Sequence, residues 1–239
     1  MAAEPDLRCY LVTGTGTPEH ITKVAAAAAR GGAGVIQVRS KPIDAGDLLE
    51  LTVSVARAVA EANPATRVLV DDRVDVVAAA MARGENVHGV HVGQTDLPVA
   101  DVRRLLGKDA IIGLTTGTRE LVEAANVHAA AGLIDYVGCG PYKPTPTKDS
   151  GRKPLGVEAY RELAELCEVP MVAIGSVTAE DAHALAATGV AGVAVVRALM
   201  NAEDPAGYAA RIVEAFSPTG SPAGATAPGE ANSNGNEEF

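Results

Sequence analysis

Eight short apolar segments alternate along this chain with eight Ala-rich segments of helical character. The apolar segments lie at residues 9–12, 35–38, 68–70, 89–92, 111–114, 136–139, 171–174 and 192–196. They are apolar throughout, as expected of parallel strands that are buried on both faces. The helical segments lie at residues 18–30, 44–61, 75–83, 99–106, 119–131, 157–166, 179–187 and 205–216. Strict alternation of strands and helices predicts a parallel sheet covered by helices.

The count and the length of these units favour an α/β fold of one domain, the (βα)8 or TIM barrel. Such barrels have about 250 residues, and this chain has 239. An open, doubly wound sheet is the alternative that the same pattern allows. Residues 1–216 are predicted to form the barrel. Residues 217–239 are rich in Pro, Gly, Ser and Asn and are predicted to form a disordered tail.

The formal net charge of -10 argues against nucleic acid as a partner, because a phosphate backbone demands a basic face. A local basic cluster can still bind a small anion. Three cysteines without metal-ligand spacing fit a reducing compartment. No signal peptide is recognised, and no apolar run approaches the roughly 18 residues of a membrane span. We expect a cytoplasmic protein with no membrane partner, and the sequence is compatible with a homo-oligomer.

In a barrel, functional residues lie at the carboxyl ends of the strands and in the loops that follow. Gln37, Arg39 and Lys41 alternate at the end of the second strand and therefore project from one side. Arginine can bind a diphosphate through two hydrogen bonds and lysine as a point charge. The trio predicts a diphosphate site. The alternative is a solvated strand end, against which Gln37 counts because it interrupts an apolar strand.

Acidic residues follow the next two strands: Asp71 and Asp72 after the third, and Asp96 after the fourth. Magnesium is bound by one or two carboxylates together with waters and phosphate oxygens, so these acids are candidate metal ligands. Helix capping is the alternative, above all for Asp96. His91 lies among apolar neighbours in the fourth strand, and we interpret it as a packed, hydrogen-bonded residue rather than a catalyst.

The loop after the sixth strand contains three prolines, two threonines and two lysines within residues 141–148. Its prolines stiffen a segment in which Thr145, Thr147 and Lys148 could present hydroxyls and a cation to a phosphate. Loops after the seventh and eighth strands form the phosphate site of many barrels. Gly175 and Arg197 follow these two strands. Thr115, after the fifth strand, could bind a ligand or cap the next helix.

Seven ordered blocks, each at a predicted strand end, resemble the thiamine-phosphate synthase family. The blocks are IQVRSK (36–41), VDDR (70–73), GVHVGQTDLP (89–98), IIGLTT (111–116), DYVGCGPYKPTPTK (135–148), VAIGSV (172–177) and VAVVRAL (193–199). The resemblance covers roughly residues 8–216. It implies a transferase of thiamine biosynthesis. Such an enzyme joins hydroxymethylpyrimidine diphosphate to thiazole phosphate, or to its carboxylate with loss of CO2, and releases pyrophosphate.

The resemblance also implies roles for individual residues, with Mg²⁺ as the cofactor and phosphorylated small molecules as partners. Asp72 and Asp96 would bind the metal, and Arg39, Lys41 and Lys148 would assist departure of the diphosphate. The implied pyrimidine diphosphate ligands are Gln37, Arg39, Lys41, Asp71, Thr115 and Lys148. The implied thiazole phosphate ligands are Thr145, Pro146, Thr147, Gly175, Ser176, Val196 and Arg197.

Four positions depart from the family pattern. Asp71 stands where the family usually has Asn, Ser176 where it has a second Gly, Arg197 where Ser is common, and Lys143 where an apolar residue is usual. Two alternatives therefore stay open. One is a related tautomerase, for which His91 would be the obvious proton-transfer residue. The other is a binding module that has lost turnover, as the changes at Asp71 and Ser176 would suggest.

Overall fold

The computed structural model describes residues 4–145 and 153–217, and its centre is a closed barrel of eight parallel strands. Each strand pairs with its neighbours in chain order, and β1 (Cys9–Val12) closes the ring on β8 (Gly192–Val195). The predicted barrel is confirmed, and the open-sheet alternative is wrong. The predicted tail lies outside the described residues except for Ser217, as do positions 146–152 of the long loop after the sixth strand.

The other strands are β2 (Val35–Val38), β3 (Arg67–Asp71), β4 (Gly89–Val92), β5 (Ile111–Thr116), β6 (Tyr136–Cys139) and β7 (Met171–Ile174). The helices are α1 (Pro18–Arg30), α2 (Ala45–Ala62), α3 (Val74–Ala82), α4 (Val99–Leu106), α5 (Arg119–Ala130), α6 (Gly156–Leu166), α7 (Ala182–Ala186), α8 (Arg197–Met200) and α9 (Pro205–Ala215). No helix among the described residues is long and apolar enough to cross a membrane.

Most predicted boundaries hold within a residue or two, and the differences have local causes. β5 extends to Thr116 because its pairing with β6 continues through Thr115 and Thr116. The predicted helix at 179–187 is divided into a 3-10 turn, Ala179–Asp181, and the short α7. The four-residue α8 was not predicted, since one helical turn leaves no periodic signal.

The apolar core has two layers that follow from the alternation of side chains along each strand. Outward side chains pack against the helices in one large cluster. A smaller cluster fills the barrel interior and includes Tyr10, Leu69, Ile111, Tyr136 and Val172. The interior therefore contains the rings of two tyrosines, Tyr10 and Tyr136, which are 2 % and 1 % exposed.

Two inward-facing glycines leave space for the rings of Tyr136 and His91. A Cβ atom at Gly113 would lie 2.2 Å from the Cζ atom of Tyr136 and 2.4 Å from Nδ1 of His91. A Cβ atom at Gly138 would lie 2.9 Å from Cε1 of His91. Glycine at these strand positions is thus required by close packing rather than by backbone conformation.

We predict that Gly113→Ala destabilises the protein by about 1–3 kcal/mol, because the added methyl group overlaps the buried ring of Tyr136 and the half-buried ring of His91. The matched control is Gly46→Ala in α2, where nothing lies within 4 Å of the added atom. That change should be neutral or slightly stabilising, since alanine is favoured over glycine in a helix. Chemical denaturation measures both free energies of unfolding. Equal stability of the two variants would contradict the packing assignment.

Candidate active site

A cavity of about 480 Å³ opens where the strands end, at the carboxyl face of the barrel. It gathers residues that are distant in the sequence, from the ends of strands and the loops that follow them. The sequence-predicted residues that line it are Gln37, Arg39, Lys41, Asp71, Thr115, Thr145, Gly175, Ser176, Val196 and Arg197. Pro146, Thr147 and Lys148 lie outside the described residues.

A cluster of opposite charges forms one side of the cavity. Lys41 Nζ lies 2.9 Å from Asp71 Oδ2 and is also paired with Asp72, and Arg39 Nε lies 3.5 Å from the same Asp71 oxygen. The other carboxylate oxygen of Asp71, Oδ1, accepts a hydrogen bond of 2.6 Å from the side-chain amide of Gln37. The predicted trio and the two acids therefore form one contiguous group, which is named the charge cluster below.

Local backbone structure fixes the cationic side of the charge cluster. The Arg39 backbone N–H donates to the hydroxyl oxygen of Thr13 at 2.8 Å, and that hydroxyl donates back to the Arg39 carbonyl oxygen at 2.8 Å. The N–H of Thr13 donates to the Gln37 carbonyl oxygen at 2.9 Å. The residue that follows β1 is thus hydrogen-bonded to the end of β2. The sequence pattern contains no indication of this contact.

The electrostatics of the charge cluster combine burial with compensation of charge. Burial raises the pKa of Asp71, and the neighbouring charge of Asp72 adds to this, while Lys41 and Arg39 oppose it. Burial alone would lower the pKa of Lys41, yet its hydrogen bonds to Asp72 and Asp71 carry that pKa above its usual value. The ammonium group of Lys41 is thereby held in its charged form.

Asp72 and Asp96 form an acidic pair at the edge of this cluster. Asp72 has a backbone φ of 58°, in the left-handed region. Asp96 Oδ2 accepts from the Gly93 N–H at 2.7 Å. Burial raises the pKa of Asp96, and the charge of Asp72 raises it further against the effect of that hydrogen bond. Two like charges are therefore held near one another in a partly desolvated position.

The capping alternative for these acids is wrong. The residue that precedes the first turn of α3 is Arg73, and the one that precedes α4 is Pro98. Asp96 instead closes its own loop through Gly93. Among the described residues no group of three or more acidic, histidine or cysteine side chains could hold a metal, so a metal here would have two protein carboxylates and would need ligand or water oxygens.

A continuous series of hydrogen bonds runs through the barrel interior from the charge cluster to Thr115 near the end of β5, where it lines the cavity. This series, named the interior chain, consists in order of Asp71, Gln37, Tyr10, Tyr136, His91 and Thr115. Its five donor–acceptor distances, in the same order, are 2.6, 2.7, 2.7, 2.9 and 3.0 Å. Residues of six strands, β1 to β6, thus share one polar network.

Tyr10 and Tyr136 are the site residues that sequence reasoning missed. Each lies in an apolar strand, where a tyrosine is ordinarily interpreted as a residue of the hydrophobic core. Burial raises the pKa of both phenols, so both keep their protons at neutral pH. Gly113, which makes room for the ring of Tyr136, is a signal that could have indicated Tyr136. The interpretation of His91 as a packed, hydrogen-bonded residue is confirmed.

The described base of the long loop after β6 is fastened to the end of β7. The N–H groups of Tyr142 and Lys143 donate to the carbonyl oxygens of Ile174 and Gly175 at 2.8 and 3.0 Å. Lys143 Nζ lies 2.7 Å from Asp181 Oδ1. The lysine that stands here in place of the family's usual apolar residue therefore forms an ion pair between the segments after β6 and β7. These contacts bring Thr145 to the cavity wall beside the loops after β7 and β8.

Gly175 and Ser176 form a tight bend on that wall. Gly175 has a φ of 116°, and a Cβ atom there would lie 2.7 Å from the Cα atom of Pro141. Ser176 adopts a φ of 50°, a region in which a side chain costs roughly 1–2 kcal/mol. Its hydroxyl donates to the Pro144 carbonyl oxygen at 2.8 Å and accepts from Arg197 Nη2 at 3.3 Å. The two departures, Ser176 and Arg197, therefore contact each other.

Comparison with known proteins gives concordant results. The family model described as thiamine monophosphate synthase matches residues 9–199. A thiamine-phosphate synthase of Corynebacterium efficiens is 64 % identical over 216 residues, which cover 90 % of this chain and 98 % of that relative. The thiamine-phosphate synthase of Corynebacterium jeikeium is 63 % identical, over 91 % of this chain and 98 % of the relative.

Solved structures agree with these sequence matches. A thiamine phosphate pyrophosphorylase from Pyrococcus furiosus superimposes with a TM-score of 0.72 and 27 % identity, over 89 % of this chain and 96 % of that one. A 3-hexulose-6-phosphate synthase is 16 % identical with a TM-score of 0.62, which shows a common fold alone. The chain belongs to the thiamine monophosphate synthase family and is a transferase of the thiamine-phosphate synthase type.

Proposed function

We propose that this transferase joins hydroxymethylpyrimidine diphosphate to thiazole phosphate, or to the thiazole carboxylate phosphate with loss of CO2, and forms thiamine monophosphate and pyrophosphate. The observation that carries the proposal is the meeting of Arg39, Lys41, Asp71 and Thr115 around one cavity, with Asp72 paired to Lys41 beside them. A diphosphate, a bridging metal and a flat ring could be bound there together. The names of the close relatives support the same reaction.

The diphosphate would lie against Arg39 and Lys41. Both cations line the cavity and contact Asp71, so their positive charge lies where the diphosphate would bind. Lys148, in the same loop as Thr145, is proposed as a third cation toward this group. Neutralising a diphosphate makes it a better leaving group, and the stabilisation grows as negative charge develops during departure.

The acidic pair fits a magnesium ion that a diphosphate helps to bind. Asp72 and Asp96 would supply two carboxylate oxygens, and phosphate oxygens and waters would supply the rest, as is usual for this ion. The mutual repulsion that raises the pKa of Asp96 would be relieved by a divalent cation between the two groups. Bound magnesium would neutralise charge on the departing diphosphate.

The bond changes need no protein nucleophile. The bond between the pyrimidine methylene carbon and the diphosphate oxygen breaks, and its electron pair leaves with pyrophosphate. The electron-rich aminopyrimidine stabilises the cation left on the methylene carbon. The lone pair of the thiazole nitrogen then forms the new carbon–nitrogen bond. Arg39 and Lys41 hold the leaving group, and the cavity holds both rings in reach of each other, so catalysis rests on charge stabilisation and proximity.

The thiazole phosphate would lie on the opposite wall, at the bend formed by Gly175 and Ser176. Arg197 is exposed beside it, and its guanidinium can bind a phosphate through two hydrogen bonds. Thr145, Pro146, Thr147 and Val196 complete the proposed set. In this chain Arg197 supplies a cation where the family commonly has a serine.

No specific observation favours either alternative function. A tautomerase would require a proton-transfer residue, and both ring nitrogens of His91 are hydrogen-bonded inside the barrel, to Tyr136 and Thr115. A binding module without turnover was suggested by Asp71 and Ser176. Asp71 takes part in the charge cluster, and Ser176 is accommodated by two hydrogen bonds.

We predict that Arg39→Ala lowers the turnover number by about 10²-fold or more, because a charge-stabilising group is removed from the leaving group. The readout is pyrophosphate release with both substrates and magnesium present. The matched control is Arg57→Ala, which removes an exposed arginine of α2 paired with Glu85 and should leave turnover near that of the unmodified protein. Near-normal rates in Arg39→Ala would refute the diphosphate assignment.

Asp96→Asn is expected to weaken magnesium binding in the presence of the pyrimidine diphosphate by about tenfold or more, since one of two carboxylate ligands is lost. Titration calorimetry with MgCl2 measures the affinity directly, without turnover. Asp101→Asn, a change of the same chemistry at an exposed site of α4 paired with Arg104, should leave that affinity unchanged. An unaltered magnesium affinity in Asp96→Asn would exclude this residue as a ligand.

Replacement of Arg197 by Ser should raise the KM for thiazole phosphate by about tenfold, the loss expected for one hydrogen bond to a charged group. The KM for the pyrimidine diphosphate should stay constant, because Arg197 belongs to the other wall. Arg211→Ser, at an exposed arginine of α9, serves as the control. If both KM values rose together, Arg197 would not be specific to the thiazole side.

A further inference from the structure

The interior chain has one end at a carboxylate that can only accept hydrogen bonds. Asp71 Oδ2 faces the cations Lys41 and Arg39 at 2.9 and 3.5 Å, while Asp71 Oδ1 lies 2.6 Å from the amide group of Gln37. An ionised carboxylate has no proton to donate. Gln37 must therefore turn its NH2 group to Asp71, which leaves its oxygen facing Tyr10.

That orientation determines the next bonds one after another. The phenol of Tyr10 donates its proton to Gln37 Oε1 at 2.7 Å, so toward Tyr136, 2.7 Å away, it can only accept. Tyr136 therefore donates its single proton to Tyr10 and accepts from Nδ1 of His91 at 2.9 Å. The neutral imidazole is then protonated on Nδ1, and its Nε2 is an acceptor.

The last bond of the interior chain reaches the cavity. With Nε2 of His91 as an acceptor at 3.0 Å, the hydroxyl of Thr115 must donate its proton to it. A threonine hydroxyl has one proton and two lone pairs. Once its proton is engaged, the oxygen of Thr115, which lines the cavity, can only accept a hydrogen bond from a ligand.

We propose that Asp71 is a positioning residue that sets the direction of the whole interior chain and thereby makes Thr115 an acceptor toward the ligand. The site then selects a ring that presents an N–H donor at Thr115, such as an exocyclic amine of a heteroaromatic ring, over one that presents an acceptor. The choice of an aminopyrimidine as that ring rests on the proposed function. The direction of the hydrogen bonds along the interior chain does not depend on that function.

Asparagine at position 71 would reverse this order. Its side-chain oxygen would face the cations Lys41 and Arg39, so its NH2 group would face Gln37 and turn the oxygen of that residue toward it. Tyr10 would then accept from Gln37 and donate to Tyr136, Tyr136 would donate to Nδ1 of His91, and Nε2 would carry the proton. Thr115 would be released to donate to a ligand. Replacement of one carboxylate oxygen by an NH2 group at one end of the interior chain thus changes Thr115, at the other end, from an acceptor to a donor toward the ligand.

Nitrogen-15 NMR of histidine-labelled protein at mildly alkaline pH tests this inference without any ligand. The signals of His91 are identified by their loss in His91→Asn. We expect the Nδ1-protonated tautomer in the unmodified protein and the Nε2-protonated tautomer in Asp71→Asn. Asp75→Asn removes a nearby exposed carboxylate that is paired with Arg73 outside the interior chain and should leave the tautomer unchanged. The same tautomer in the unmodified protein and Asp71→Asn would overturn the proposal.

A double substitution separates transmission along the chain from a direct effect of the charge of Asp71. Tyr10→Phe removes the hydroxyl that links Gln37 to Tyr136, so Asp71→Asn should no longer change the tautomer in that background. Tyr136→Phe interrupts the next link and replaces Tyr10→Phe if the latter does not fold. A tautomer change of equal size in the interrupted background would mean a direct electrostatic effect and would overturn the role of the chain.

Ligand selection is measured separately by calorimetry with hydroxymethylpyrimidine diphosphate and its analogue in which an oxo group replaces the amine. The unmodified protein should bind the amine about tenfold or more tightly, the cost of one mismatched hydrogen bond. Asp71→Asn should narrow or reverse that ratio. An unchanged ratio would overturn the selection role. If neither compound bound the unmodified protein, the proposed function would fail, while the NMR result would still decide the direction of the interior chain.

Discussion

The site depends on one constraint, which is that polar groups buried inside a barrel must all be paired. An unpaired buried donor or acceptor costs about 1–3 kcal/mol. The interior chain contains several donors and acceptors that are enclosed by the barrel and must therefore be paired. Each of its four inner members, Gln37, Tyr10, Tyr136 and His91, has a partner on both sides along the interior chain. A change in the direction of one hydrogen bond therefore alters the next one. The interior chain, which forms the floor of the cavity, thus couples the charge cluster to Thr115.

The walls above this floor differ in character. On one side, Lys41 and Arg39 offset the charge of Asp71, and Lys41 also pairs with Asp72. A diphosphate with a divalent cation would provide each of these groups with a new partner of opposite charge. On the other side, backbone hydrogen bonds and the ion pair of Lys143 with Asp181 link the segments after β6 and β7. In the described part of the chain this wall presents the cation Arg197.

The sequence predicts the barrel because apolar parallel strands and periodic helices leave strong local signals. It predicts that Gln37, Arg39 and Lys41 lie together because they alternate at a strand end. It does not predict that Lys41 and Arg39 converge on Asp71, since that contact depends on the register of β2 and β3. The interior chain was missed for a related reason. Tyr10 and Tyr136 acquire their role only when the barrel closes and brings the two hydroxyls within 2.7 Å.

The central claim is that one rim of the barrel binds the diphosphate and the metal while the interior chain orients the ring. A crystal structure with hydroxymethylpyrimidine diphosphate and magnesium tests it most directly. We expect the diphosphate within hydrogen-bonding distance of Arg39 and Lys41, the ion on Asp72 and Asp96, and an amine nitrogen facing the oxygen of Thr115. A diphosphate bound away from Arg39 and Lys41, or a ring acceptor facing Thr115, would contradict the account.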